Sequence, residues 1–299
     1  MRRSRPEDCI PLPDRSNSDT RLALEGVTVR YGSVAALEDV SLSVEPGESL
    51  AIIGASGAGK STLFRALTRG TALDGGSISI GGRDLYTLSS GDLKQVRRRI
   101  GTIYQAYNLI PQLSAGVNAS LGEVGEMGAL RTLRTFLAGP EPGLSKKVRA
   151  ALHEVGLGDK AGARTADLSG GQQQRVAVAR LLVQRPELIL ADEPFAAVDP
   201  VTTEKVLETL LELNGDGATI LVNLHDVEIA RRFPRIVALQ GGRLVFDGSP
   251  TLLNEQRLAE IYAGDPGARR ERDPEDKNLR RLREEQARIL EGQDGISAH

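Results

Sequence analysis

Apolar and polar positions along the chain fall into two alternating rhythms. Short runs rich in β-branched residues predict strands at 27–30, 40–44, 50–53, 77–80, 101–104, 188–191, 220–223, 236–239 and 244–246. Between several of them, apolar residues recur at helical spacing and predict helices at 61–68, 172–184 and 203–213. Pro46-Gly47 predicts a turn between the second and third runs. Such alternation argues for an α/β fold with a mainly parallel central sheet.

The rhythm breaks in three places. From about residue 107 to 168 the strand signals stop, and helical windows at 124–137 and 145–155 are interrupted by Gly139-Pro140 and Pro142-Gly143. This predicts a helical insertion carried by the α/β core. Residues 1–20, rich in Pro, Arg, Asp and Ser, read as a disordered leader. The tail at 266–299 is dense in Arg, Glu and Asp. Leu279, Leu282, Gln286, Ile289 and Leu290 give it a thin apolar stripe, which reads as a solvated helix or a disordered tail in preference to a docking helix. The expected domain therefore spans 21–265, and no internal repeat is present.

Composition narrows the classes of function. The 299 residues are 40% hydrophobic and 26% charged, ordinary for a soluble globular protein. A formal net charge of −2 points to neither nucleic acid nor anionic lipid as a partner. With 3% aromatics and no Trp, stacking platforms for single-stranded nucleic acid are not expected. The lone Cys9 can form no internal disulfide, which fits a reducing, cytosolic compartment. No apolar run approaches the roughly 20 residues needed to span a bilayer. Met1-Arg2-Arg3 is not followed by the apolar segment of a signal peptide. Work at a membrane is expected only of a peripheral subunit.

The chemistry begins at GASGAGKST, residues 54–62, between an apolar strand and a helix. Gly54, Gly59, Lys60 and Ser61 occupy the fixed positions of G-x-x-x-x-G-K-[ST], with Ala55, Ser56, Gly57 and Ala58 between them and Thr62 after. Glycines let backbone N–H groups turn onto phosphate oxygens, and the helix N-terminus adds partial positive charge. Lys60 places a point charge on the β- and γ-phosphates, and the Ser61 hydroxyl can ligate Mg²⁺. By itself the loop does not choose among kinases, GTPases and ATPases. The strand at 188–191 then ends in Asp192-Glu193. In an open parallel sheet the carboxyl ends of strands face the ligand crevice, so Asp192 is placed to hold Mg²⁺ and Glu193 to take a proton from water. A strand-end acidic pair that merely caps the next helix is the plainer reading in isolation, but in a chain that already carries a phosphate loop the functional reading is favoured.

LSGGQQQRVAVAR, residues 168–180, offers a second anion site. Ser169, Gly170, Gly171 and Gln172 would sit at a helix N-terminus with a hydroxyl and exposed N–H groups. One nucleotide loop has no evident use for two such sites, so this surface is expected to meet the γ-phosphate held by another copy. With these motifs the chain resembles the nucleotide-binding subunits of ABC transporters over about residues 22–264. The resemblance implies a P-loop NTPase core of ABC ATPase type, with an antiparallel N-terminal β subdomain and a helical insertion. It implies that Tyr31 stacks on adenine, that Gln105 touches Mg²⁺ and the attacking water, that Asp199 lies at a dimer seam, and that His225 is a switch near the γ-phosphate. Ala197 departs from the usual serine before Val198-Asp199.

RTLRTFLAG at 131–139, the stretch 241–265 and the 168–199 motifs are most similar to ATP-binding subunits of phosphonate importers, whose relatives also import phosphite. The resemblance implies an ATPase dependent on ATP and Mg²⁺ that works as a head-to-tail dimer. Each ATP would lie between 54–62 of one copy and 169–171 of the other, with closure bringing Glu193 and His225 into register. The implied partners are permease subunits and, indirectly, a solute-binding protein; the implied place is the cytoplasmic face of the inner membrane. Import of another solute, a soluble ATPase serving a carbon–phosphorus bond-cleaving assembly, and a DNA-maintenance ATPase are the competing readings.

Overall fold

The computed structural model describes residues 20–127, 129–196 and 198–263. The readings of the leader, of the charged tail and of Ala197 lie outside these residues. In chain order the strands are β1 (Leu22–Tyr31), β2 (Val34–Val44), β3 (Ser49–Ile53), β4 (Gly75–Ile80), β5 (Arg83–Asp84), β6 (Ile100–Ile103), β7 (Leu188–Asp192), β8 (Thr219–Asn223), β9 (Arg235–Gln240) and β10 (Arg243–Gly248). They form two sheets, one ordered β2-β1-β4-β5 and the other β10-β9-β3-β8-β7-β6. Pairing in the first is antiparallel. In the second, the strands from β9 to β6 run parallel and β10 is antiparallel at the edge. The mainly parallel core with an antiparallel N-terminal sheet is thus as expected.

Period two explains how one sheet serves two cores. Along β3, Leu50 and Ile52 pack toward the antiparallel sheet, while Ala51 and Ile53 pack toward the helices on the opposite face. The same division separates Leu188 and Leu190 from Ile189 and Ala191 on β7, and Val237 and Leu239 from Ile236 and Ala238 on β9. A strand buried on both faces must be apolar throughout, which is why these runs do not alternate. The helices are α1 (Lys60–Leu67), α2 (Ser90–Arg99), α3 (Ala115–Ser120), α4 (Ala129–Ala138), α5 (Pro142–Glu154), α6 (Gly170–Gln184), α7 (Pro200–Gly215), α8 (Val227–Ala230) and α9 (Glu255–Ile261). Helix α1 joins the first core and α5, α6 and α7 the second.

Among the described residues between 107 and 168 there are helices and turns but no strand longer than an isolated bridge. The window expected as one helix at 124–137 divides into a 3-10 turn, Leu121–Glu126, and α4. The turn lies tight against α6, where a Cβ on Gly122 would stand 2.4 Å from the Arg180 carbonyl oxygen. Helix α2 was not expected. Its sequence SGDLKQVRRR buries only Val96, so no apolar stripe announces it; the Ser89 hydroxyl accepting from Asp92 N–H at 3.2 Å starts it instead.

Helix α6 ties the insertion to the sheet. Arg180 donates to the backbone oxygens of Asn108 at 2.9 Å and Tyr107 at 3.4 Å, just beyond Gln105. Gln184, one turn further, donates to the Ile100 carbonyl at the start of β6 at 2.8 Å.

Candidate nucleotide site

The parallel strands β3, β6, β7 and β8 all end at one edge of the sheet, and each delivers part of the site. After β3 the chain turns through Gly54 (φ 150°), Gly57 (φ 77°) and Gly59 (φ 106°) into α1. A Cβ on Gly54 would stand 2.2 Å from the Leu239 carbonyl oxygen, and one on Gly59 2.5 Å from that of Ala36. Glycine is therefore required by space as well as by backbone conformation. The turn is held by Ala58 N–H donating to Ala55 O at 3.1 Å and by Gly242 N–H donating to Ala58 O at 3.0 Å. Helix α1 has no side-chain cap, which leaves its first-turn N–H groups to an anion. The buried Lys60 ammonium bridges the turn, donating to Gly54 O at 2.6 Å and Ala55 O at 3.1 Å. Gly59→Ala is expected to store about 1–3 kcal/mol of strain in this turn. It should lower both the melting temperature and ATP affinity, measured by calorimetry and equilibrium titration; unchanged values would refute the fit.

Asp192 ends β7 with a carboxyl raised above the ordinary range by burial. The Asn223 amide opposes that rise by donating to Asp192 Oδ1 at 2.5 Å, and the Lys60 charge opposes it less strongly. Glu193 follows at φ 50°, a conformation uncommon for a residue with a side chain and found where the surroundings impose it. Its N–H donates to the Asn223 carbonyl at 3.1 Å. Its Oε1 lies 2.6 Å from His225 Nε2 at the end of β8. The sequence reading has dimer closure bring these two into register, whereas here they already pair within one chain. Gln105 is exposed after β6 and shares with Asp192, Tyr104, Phe64 and Arg65 a cavity of about 350 Å³. Tyr31, 47% exposed at the end of β1, has its hydroxyl pulled below the usual tyrosine range chiefly by its hydrogen bond to Thr71 Oγ1 at 3.4 Å.

A second group of predicted residues gathers elsewhere. Ser169 caps α6: its hydroxyl accepts from Gln172 N–H at 3.3 Å, and Gln172 Oε1 accepts from Ser169 N–H at 3.1 Å. This is a reciprocal capping box. Asp199 caps α7, accepting from Thr202 N–H at 2.9 Å and the Thr202 hydroxyl at 2.7 Å. Those bonds hold its carboxyl below the usual range. The two caps are neighbours, since a Cβ on Gly171 would lie 3.2 Å from Asp199 Oδ2. Ser169 and Gly170 are exposed.

Two contributors escaped the sequence reading. Asn223 is a lone amide inside the apolar run TILVN, and that interruption was the available signal. Gln174, buried on α6, donates to the Pro194 carbonyl at 2.5 Å and anchors the turn that carries Glu193. Its long-range partner left no trace in the local pattern.

Among the described residues no group of three or more His, Cys, Asp or Glu gathers as a metal cage. Asp192 and Gln105 share one cavity, and oxygen donors of this kind completed by a nucleotide's own oxygens suit Mg²⁺, a hard cation usually bound by one or two carboxylates and substrate phosphates.

Residues 37–196 match the family model described as ABC transporter. The phosphonates import ATP-binding protein PhnC 2 of Pseudomonas savastanoi pv. phaseolicola (strain 1448A / Race 6) is 45% identical over 254 residues, 82% of this chain and 90% of that protein. PhnC 2 of Rhodopseudomonas palustris (strain BisB18) is 42% identical over 243 residues, 81% of this chain and 89% of that protein. The fold is similar to a dimeric post-hydrolysis structure of the ATP-binding cassette MJ0796 bound to ADP and Pi. The TM-score is 0.66 at 34% identity, over 77% of this chain and 98% of that one. A phosphate-cradling loop with its carboxylates, a signature helix and this degree of likeness lead to one conclusion: the chain belongs to the ABC transporter family, as one of its ATP-binding cassettes.

Proposed function

We propose that this cassette is the ATP-hydrolysing motor of a phosphonate importer, acting as a head-to-tail pair of copies beneath a permease pair. The observation that carries the reading is the split of its anion-binding groups. The loop, Asp192, Glu193 and His225 converge at the ends of β3, β7 and β8, while the Ser169 box stands with Asp199 at the starts of α6 and α7. A second copy turned head to tail brings the second group over the first. The substrate class rests on relatives above 40% identity that are named as phosphonate import proteins.

In this reading Tyr31 stacks on adenine, and Gly54, Ala55, Ser56, Gly57, Ala58, Gly59, Lys60, Ser61 and Thr62 wrap the phosphates. Ser61, Asp192 and Gln105 hold Mg²⁺, which when bound neutralises charge on the β- and γ-phosphates. Glu193 takes the proton of the attacking water, and His225, released from Glu193, turns to the γ-phosphate. Ser169, Gly170, Gly171 and Gln172 close over that phosphate from the partner copy, with Asp199 along the seam. We divide the chain into a cassette at 21–265 and, within it, a helical insertion at about 107–168 that transmits closure to the permease. The subunit then lies at the cytoplasmic face of the inner membrane and receives its solute signal from a binding protein. Among the described residues no helix is long and apolar enough to cross a membrane.

ATPase measurement of the reconstituted transporter with phosphonate-, phosphite- or phosphate-loaded binding protein tests the assignment. Stimulation by phosphonate or phosphite is expected, and stimulation only by an unrelated solute overturns it. The pairing has its own test. With ATP, Glu193→Gln should elute as a dimer on size exclusion, and adding Ser169→Arg should return it to a monomer. A persistent dimer in the double variant would remove Ser169 from the seam.

A further inference from the structure

Asn223 is fully buried in a strand whose other described members on both faces are apolar or, at Thr219, hydroxylic. Its backbone oxygen accepts from Glu193 N–H, and its side-chain N–H donates to Asp192 Oδ1 at 2.5 Å across the parallel β7–β8 ladder. One residue therefore grips both members of the carboxylate pair. The bond to Oδ1 leaves Asp192 Oδ2 as the oxygen not engaged by this amide. Asn223 Oδ1, by contrast, is buried with no hydrogen-bond partner among the described residues. An acceptor stranded in a core is unfavourable, and a β-branched apolar residue such as the neighbouring Val222 would fill the same strand position without it. A stranded acceptor beside a carboxylate at the nucleotide edge is suited to a donor that arrives with the ligand.

We propose that Asn223 is a positioning residue for the nucleotide-bound cation: its amide N–H fixes the Asp192 carboxylate toward the metal, and its Oδ1 accepts a hydrogen bond from a water of the cation's hydration shell. This rests on the reading of Asp192 as a metal ligand. Such a role separates metal affinity from nucleotide affinity, because the Asn223 side chain is hydrogen-bonded to Asp192 and not to the loop or Tyr31. Mg²⁺ keeps several waters in protein sites, so a neutral oxygen near the carboxylate has a partner to find.

The test titrates Mn²⁺ into the full chain loaded with a non-hydrolysable ATP analogue and follows free Mn²⁺ by electron paramagnetic resonance. Analogue affinity is measured in parallel in EDTA. Asn223→Val is expected to raise the Mn²⁺ concentration for half-saturation about tenfold, the effect of losing hydrogen bonds to a charged group. Its metal-free analogue affinity should stay at the parental value. Asn223→Thr, matching valine in shape but keeping a hydroxyl, should recover part of the shift. Parental half-saturation in the valine variant, equal shifts in both variants, or a matching loss of metal-free affinity each overturns the proposal. Asn223→Ala, with neither donor nor acceptor in its side chain, serves if the valine chain does not fold; it should show the same shift, and a parental value sinks the idea. Failure of the parental chain to bind Mn²⁺ with the analogue overturns the metal site itself, and Asn223's role with it.

Discussion

Glu193→Gln is expected to stop ATP turnover while leaving ATP bound. A positioned general base contributes roughly 10²- to 10⁴-fold to rate, and an amide of the same shape contributes no basicity. The substitution preserves the rest of the turn. Glutamine Oε1 can still meet His225 Nε2 where Glu193 Oε1 now lies at 2.6 Å, and Gln174 still anchors the next residue through the Pro194 carbonyl. Backbone strain at φ 50° is no worse for glutamine than for glutamate. The expected signature is therefore a collapse of kcat with nucleotide retained after desalting. Turnover at the parental rate would remove Glu193 from the chemistry.

Lys60→Ala is expected to act on the other quantity, affinity. The ammonium is 5% exposed and donates to Gly54 and Ala55 carbonyls, so it is held where the loop encloses an anion. Hydrogen bonds to charged groups contribute about 1.5–3 kcal/mol each, which sets the expected loss of ATP affinity at roughly tenfold to a hundredfold or more. Alanine also withdraws a positive charge that opposes the raised Asp192 carboxyl, weakening the cation site in the same stroke. Arginine should not rescue, because a planar fork is not a compact point charge between two backbone oxygens. Calorimetric titration with ATP distinguishes the outcomes, and parental affinity in Lys60→Ala would refute the assignment.

The parts of this molecule written in the local pattern were legible before the structure. Doubly buried stretches such as 188–191 and 220–222 must be apolar throughout, and the phosphate loop needs glycines where backbone meets backbone. Helices without an apolar stripe were not legible. Helix α2 owes its existence to the Ser89 cap and its seat against β6, and α3 is too short to show a period. Within the site, the sequence named Asp192, Glu193 and His225 but placed the meeting of Glu193 with His225 in a later, closed state. Only the parallel register of β7 and β8 reveals that Glu193 and His225 leave neighbouring strand ends already within hydrogen-bond distance. Asn223 and Gln174 were missed for a related reason: each acts on a residue far away in sequence, through a bond that no short window contains.

Helix α6 has a mechanical consequence. It is one uninterrupted rod of 15 residues, and at 1.5 Å per residue it is about 22 Å long. Its leading end carries the Ser169 box, its second turn grips the turn beside Glu193 through Gln174, and its far half holds Asn108, Tyr107 and Ile100 through Arg180 and Gln184. A push on the segment after Gln105 would therefore act on α6 as torque on a stiff lever and would need no relay of small side-chain shifts. Tilting that lever by a few degrees swings Ser169 by an ångström or more, comparable to the tolerance of a hydrogen bond.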